Sequence, residues 1–222
     1  MENLLTEKES LDLIGQMIKT AKNNLQKGMG NVFLLWGYLV AIISLLVFIL
    51  LIIFHGDIRY SAYYLWFMMI LGYPFHYRLI KKSEQDRLVM TYIEKLMAWV
   101  WSAFAVSIIV VVLGLLVGSI IVLPAFCDVE AGHEFLRWFQ WLFITPFMLC
   151  LYGFALFVSG KAYGFKPLVT GGVICWIATF VLLFAIHNEH VLIIQQAVLC
   201  ISATAGFIIP GHMLNCKARK NV

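Results

Sequence analysis

The sequence has little charge, and none in the middle of its long apolar stretches. Asp, Glu, Lys and Arg together make up 13% of its 222 residues, whereas 62% are apolar. Soluble domains carry about 25% charged and about 45–50% apolar residues, so a water-soluble core could not hide these side chains. Ion- and proton-coupled transporters keep charged groups at depth. Their absence here argues against a proton-driven pump.

The sequence also lacks the motifs of common catalytic sites. It contains no Gly-rich phosphate loop, zinc-protease motif or nucleophile elbow. The net charge of +4 does not indicate a nucleic-acid partner, because no basic stripe alternates with aromatic residues. The five cysteines match no metal-binding spacing. We therefore expect a non-enzymatic protein with no cofactor.

Six apolar stretches, each close to twenty residues long or longer, are separated by short polar segments. In hydrocarbon the backbone N–H and C=O groups must bond within the segment, so these stretches predict membrane-spanning helices. The spans lie at about 32–54, 60–80, 97–123, 138–158, 168–186 and 191–210. The predicted fold class is all-α, a polytopic membrane helix bundle with six transmembrane helices and an additional N-terminal helix.

Fourteen of the sixteen Lys and Arg residues fall on one side of these six spans. The other side holds only Arg59 and Arg137. Basic flanking segments stay in the cytoplasm. We therefore predict a multi-pass membrane protein with both the N-terminus and the C-terminus cytoplasmic.

The N-terminal segment is predicted to form a cytoplasmic amphipathic helix. Thr6 and Glu9 have the spacing of a capping box, and Gly28 is a favoured residue just beyond a helix end. The apolar residues between them follow 3-4-3-4 spacing along one seam: Leu11, Ile14, Ile18, Ala21 and Leu25. We divide the chain into this helix (1–29), a transmembrane domain (30–214) and a short basic cytoplasmic tail (215–222).

Gly114 and Gly118 form a G-x-x-x-G motif in the third span. Small residues four apart let two helices approach closely in lipid. The motif does not choose its partner helix. A helix of the same chain and a helix of a second copy both remain open.

The loops on the outer side contain histidines and carboxylates that could bind a transition metal. The candidates are His187, Glu189 and His190 in one turn and His133 in another loop. These are suitable ligand types, but their spacing is not diagnostic. An ordinary solvated loop is the alternative interpretation.

Three segments carry a resemblance to a known family: residues 4–25, FLLWGY at 33–38, and IPGHMLN at 209–215. Together they resemble a family of uncharacterised bacterial six-helix integral membrane proteins. The resemblance covers the whole chain and implies the fold and a location in the bacterial inner (cytoplasmic) membrane. It implies no activity, because the family has none assigned.

Three functions follow from these patterns as hypotheses. The first is a scaffold or regulatory membrane protein whose cytoplasmic helix associates with a cytoplasmic protein partner or forms a homo-oligomer. The second is a passive channel or carrier for a small neutral or lipophilic solute, lined by mild polar groups. The third is metal binding on the outer face. In all three the lipid bilayer is the main surrounding partner.

Overall fold

The protein is helical throughout the residues that the structure describes. The computed structural model describes residues 7–54, 62–85, 92–118 and 130–220, with side chains for 10–13, 15, 16, 29–54, 62–82, 92–115, 117, 118 and 142–217. The α-helices are α1 (Glu7–Ile53), α2 (Gly72–Gln85), α3 (Tyr92–Val117), α4 (Glu130–Ala162), α5 (Lys166–Phe184), α6 (Val191–Ala203) and α7 (Ile209–Lys220). Short 3-10 helices cover Tyr63–Leu71 and Ala185–His187, and a π-helical turn, Thr204–Ile208, joins α6 to α7.

In the described part of the chain, five helical stretches are long and apolar enough to cross a membrane: Met29–Ile53, Tyr92–Leu115, Leu142–Ala162, Lys166–His187 and Val191–Lys217. The all-α fold class is confirmed in the described residues, and this architecture is compatible with an integral membrane protein. The predicted second span is not among the five stretches, and its first half is wound as a 3-10 helix.

The 3-10 winding of Tyr63–Leu71 is explained by what packs on each face. In this winding, residues three apart lie in one row. Tyr63, Trp66, Met69 and Gly72 form a row turned toward the bundle. A second row is exposed at 63–69% of each side chain: Tyr64, Phe67, Ile70 and Tyr73. An α-helix would have split both rows.

Helix α1 does not end at Gly28, so the predicted break between an N-terminal helix and the first span is wrong. All 47 residues from Glu7 to Ile53 form one helix. Gly28 does not take the left-handed conformation of a helix end, since the positive-φ glycine of the described backbone is Gly164. Glycine inside a helix lowers the stability of the helix by only about 1 kcal/mol. Packing of the following residues against α7 can contribute more than this.

The C-terminal helix, made of α6, the π-helical turn and α7, packs antiparallel along α1. One face of α1 repeats with heptad spacing and is buried along this contact: Gly30, Phe33, Gly37, Val40, Ser44, Val47 and Leu51. The predicted basic tail at 215 begins inside α7, which continues to Lys220. Helices α4 and α5 form the other close pair, joined by a tight turn at Gly164.

Helix α3 is the least buried of the five candidate spans. Only 6% of its apolar stretch is buried, against 28–44% in the other four. Its first half is attached by Met97, which is 1% exposed, and by Trp101 and Phe104. These two rings lie in an aromatic cluster with Phe33, Tyr152 and Phe207. The second half of α3 exposes apolar side chains.

Candidate functional site

A layer of hydrogen bonds around Pro146 is the most developed polar site in the buried core. Pro146 lies inside α4 and has no N–H, so the carbonyl of Leu142, four residues earlier, loses its helical partner. Gln195 of α6 donates its Nε2 to this carbonyl at 2.7 Å. The Gln195 side chain is fully buried. One helix thus supplies the donor that another lacks.

Two threonines extend this proline–glutamine layer. Thr145 donates its hydroxyl to Gln195 Oε1 at 3.3 Å, which fixes the orientation of the amide. Thr179 of α5 contacts Pro146 O at 3.4 Å and donates to Cys175 O in its own helix at 3.0 Å. The layer therefore joins α4, α5 and α6 without any charged group.

A second glutamine lies beside this layer. Gln196 is fully buried and adjoins the hydroxyl of Tyr63, in the 3-10 helix of the predicted second span. From the sequence, the two glutamines, near the outer end of the sixth predicted span, are expected to reach a neighbouring helix or the membrane interface; Gln195 reaches a neighbouring helix. Two adjacent amides on α6 thus face α4 on one side and the 3-10 helix on the other.

The centre of the bundle is tightly filled. The space next to the layer leaves no room for a water molecule, and its lining is mostly apolar: Val40, Leu149, Tyr152, Cys175, Leu199, Ser202, Ala203 and Phe207. A nucleophile paired with a general base is not found among the described buried residues. The proline–glutamine layer can hold helices together, but its groups do not make a catalytic set.

Two histidines hold α1 at the opposite end of the bundle. Trp36 donates its indole N–H to His76 Nδ1 of α2 at 3.1 Å. The Tyr38 hydroxyl lies 2.8 Å from His212 Nε2 of α7. Each histidine follows a proline by two residues, at Pro74 and Pro210. Both histidines contact aromatic side chains of α1.

Of the two alternatives for the G-x-x-x-G motif, a contact within the chain is not seen at Gly114 among the described residues. A Cβ built on Gly114 meets none of them within 4 Å, and Gly118 follows the last residue of α3. Close approach occurs at other glycines. A Cβ on Gly37 would lie 2.7 Å from Phe207 Cβ, and one on Gly171 would lie 2.8 Å from Gly206 Cα. Contact with a second copy remains a prediction.

The predicted metal ligands lie in an exposed turn. His190 Nε2 is 3.5 Å from Glu189 Oε1, and both side chains are mostly exposed. The Asn188 side chain accepts a hydrogen bond from the His190 backbone at 2.8 Å, which stabilises the turn by itself. No group of three metal-ligating side chains occurs within the described residues, where His187 is included. The side chain of His133 lies outside them.

The predicted interaction seam begins on an exposed part of α1. Leu11 is 69% exposed. The side chains of Ile14, Ile18, Ala21 and Leu25 lie outside the described residues, although their backbone is helical. The seam is therefore placed on a continuous helix, and its contacts stay a prediction.

Sequence reasoning missed two features that had a readable signal. Gly30 and Gly37 are seven residues apart, which places both on one face of α1; that spacing could have indicated the contact with α7. Pro146, inside a predicted span, frees a carbonyl, and a glutamine in another span is a suitable donor. The sequence did not say which span would supply it.

Comparison of the chain with protein-family models, with curated proteins and with solved structures finds no match in any of the three.

Proposed function

We propose that this chain is a six-span protein of the bacterial cytoplasmic membrane that acts as a non-enzymatic scaffold or regulator. Its cytoplasmic part would be the N-terminal portion of α1, which binds a second copy or a cytoplasmic protein. The observation that carries this proposal is the continuity of α1, which runs from Glu7 into the most extensively packed face of the bundle.

The length of α1 exceeds what a membrane requires. Its 47 residues extend about 70 Å at 1.5 Å per residue, whereas the hydrocarbon core is about 30 Å thick. The apolar stretch begins at Met29, so residues 7–28 extend about 33 Å beyond it. Leu11 and Leu13 are exposed on this extension. This helical extension, residues 7–28, is called the rod below. Its exposed leucines suit docking to another protein.

The inner half of α1 is tightly coupled to the rest of the bundle. Trp36 and Tyr38 bond to histidines on two other helices, and Asn31 accepts a hydrogen bond from Asn215 at 2.8 Å. A partner that tilts or rotates the rod would therefore strain contacts with both α2 and α7. This arrangement supports a regulatory or scaffolding role over an isolated anchor.

The channel and metal hypotheses gain no support from a specific contact. A channel requires a continuous polar path, whereas the hydrogen bonds of Thr145 and Gln195 form a layer across the bundle. In the outer turn, one carboxylate oxygen, Glu189 Oε1, lies 3.5 Å from His190 Nε2. Neither arrangement favours these functions over the first.

Labelling of single cysteines tests the proposed orientation. In a chain whose only cysteine is Cys216, exposed near the end of α7, an impermeant maleimide added to intact cells should give no labelling. A matched chain with His187→Cys, in the exposed outer turn, should be labelled under the same conditions. Labelling of Cys216 from outside would overturn the topology.

Two matched leucine variants test the docking role of the rod. Leu11 lies on the seam, and Leu13 lies about 200° away around the helix at 100° per residue; both are exposed. We expect Leu11→Glu to weaken association about tenfold or more, because a buried leucine contributes roughly 1.5–3 kcal/mol. Leu13→Glu should leave it nearly unchanged.

The measurement is photo-crosslinking from position 10 in native membranes, followed by the mass of the adduct. An adduct of twice the chain mass identifies a second copy, and any other discrete mass identifies a partner protein. Equal adduct yields from the two variants, or no adduct in the unmodified chain, would contradict the proposal.

A further inference from the structure

A tight turn between α4 and α5 concentrates positive charge at the inner end of the bundle. Gly164, with φ of 60°, ends α4. Phe165 N–H donates to Gly160 O at 2.9 Å, and Gly164 N–H donates to Lys161 O at 3.2 Å, the two bonds of a Schellman motif. The turn joins Lys161, in the last turn of α4, to Lys166, the first residue of α5. Both side chains are exposed.

A third lysine reaches the same turn from α7. Lys217 Nζ lies 5.7 Å from the centre of the Phe165 ring, and this phenylalanine is buried at 6% exposure. Lys161 Nζ lies 5.5 Å from the centre of the Phe157 ring. Contact with an aromatic face holds an ammonium in place. No ion pair joins any of the three lysines to a carboxylate of the described residues.

The charge at this turn is unfavourable without an anion. Lys166 is the first residue of α5, at the positive end of the helix dipole, and the first turn of α5 has no acidic residue. A cation at a helix N-terminus is disfavoured, and Lys166 and Lys217 add two positive charges near the start of α5. Lys161, in the last turn of α4, is favourably placed for its own helix. A bound anion would relieve the remaining repulsion.

Exposed apolar side chains lead away from these lysines along the bundle surface. Ile209, Met213 and Lys217 lie four residues apart on one face of α7, and the two apolar residues are 52% and 46% exposed. On α4, Phe154 is 58% exposed and lies seven residues before Lys161. A cationic end joined to an apolar track matches a headgroup joined to acyl chains.

We propose that Lys161, Lys166 and Lys217 bind the phosphate headgroup of an anionic phospholipid, whose acyl chains lie along α4 and α7. Basic pockets between transmembrane helices on the cytoplasmic side recognise such headgroups. The site is separate from the rod of α1 and does not depend on its docking role.

Lipid titration of the full chain in neutral detergent tests this site. Phosphatidylglycerol should raise the Tm of the unmodified protein, and phosphatidylcholine should not. In Lys161→Gln/Lys166→Gln/Lys217→Gln the concentration needed for the shift should rise about a hundredfold, since each lysine near an anionic surface contributes about fivefold. The variant Arg78→Gln/Lys81→Gln/Lys82→Gln removes the same charge from exposed positions of α2 and should bind as the unmodified protein does.

Two further measurements keep the outcomes distinct. The single variant Lys217→Gln should retain the unmodified Tm in phosphatidylcholine, which shows folding, and should weaken phosphatidylglycerol binding about fivefold. Inorganic phosphate alone should give no Tm shift. A full Tm shift with phosphate would show that the site binds a free anion and not a lipid. Equal weakening in the two triple variants would overturn the site, as would no shift with phosphatidylglycerol in the unmodified protein.

Discussion

Gln195→Leu is expected to destabilise the protein by about 1–2 kcal/mol, and adding Pro146→Ala is expected to restore most of this loss. The single change leaves the Leu142 carbonyl buried with no donor, because proline cannot supply one. Alanine at 146 restores the N–H of the helix, which then donates to the same carbonyl. The second change repairs the first without any contact between the new side chains.

The control for this pair is Gln196→Leu combined with Pro146→Ala. Gln196 adjoins Tyr63 and does not bond to the Leu142 carbonyl, so its loss should be independent of residue 146. Unfolding in mixed micelles, followed by helical circular dichroism, gives the free energies for both cycles. An additive result for Gln195 and Pro146 would show that the carbonyl does not need the glutamine.

Gly172→Ala is expected to cost about 1–3 kcal/mol of stability, whereas Gly114→Ala should be neutral or stabilise by up to about 1 kcal/mol. A Cβ on Gly172 would lie 2.7 Å from Gly153 O and 2.9 Å from Phe157 N. Both are backbone atoms, which cannot move aside as a flexible side chain can. A Cβ on Gly114 meets nothing within 4 Å in the described part of the chain.

This pair of alanine variants also tests the alternative for the third span. The same micelle unfolding measurement is made at low and at high protein concentration. If Gly114 packs against a second copy, its alanine variant should lose stability and the loss should depend on concentration. A loss at Gly114 that is independent of concentration would contradict both the open surface and the dimer.

The helical architecture could be predicted from the sequence because it depends on local signals. Runs of apolar residues and basic flanks are read along the chain, and α5 begins and ends within two residues of its predicted limits of 168 and 186. The continuity of α1 through Gly28 could not be read in this way. It depends on α7, about 180 residues later in the sequence, approaching Gly30 closely.

The candidate site shows the same division between local and long-range information. Pro146 predicts that the carbonyl four residues earlier has no donor within the helix, and this is local information. The donor, Gln195, is far along the chain, and only the packing of α6 on α4 identifies it. In the other direction, Gly114 of the Gly114-x-x-x-Gly118 motif meets no partner among the described residues. A packing motif allows close approach of two helices, but the contact forms only where another helix lies against it.

The 3-10 winding of Tyr63–Leu71 ties the height of that segment to its rotation. Nine residues rise about 18 Å in this form and about 13.5 Å as an α-helix, and the two forms differ by about 20° of rotation per residue. Rewinding the segment as an α-helix would therefore shorten it by about 4.5 Å and turn its far end by roughly half a revolution. Tyr64 and Tyr73, nine residues apart and both exposed, could not both keep their present surroundings, so membrane thickness and the identity of the lipid-facing side chains are linked here.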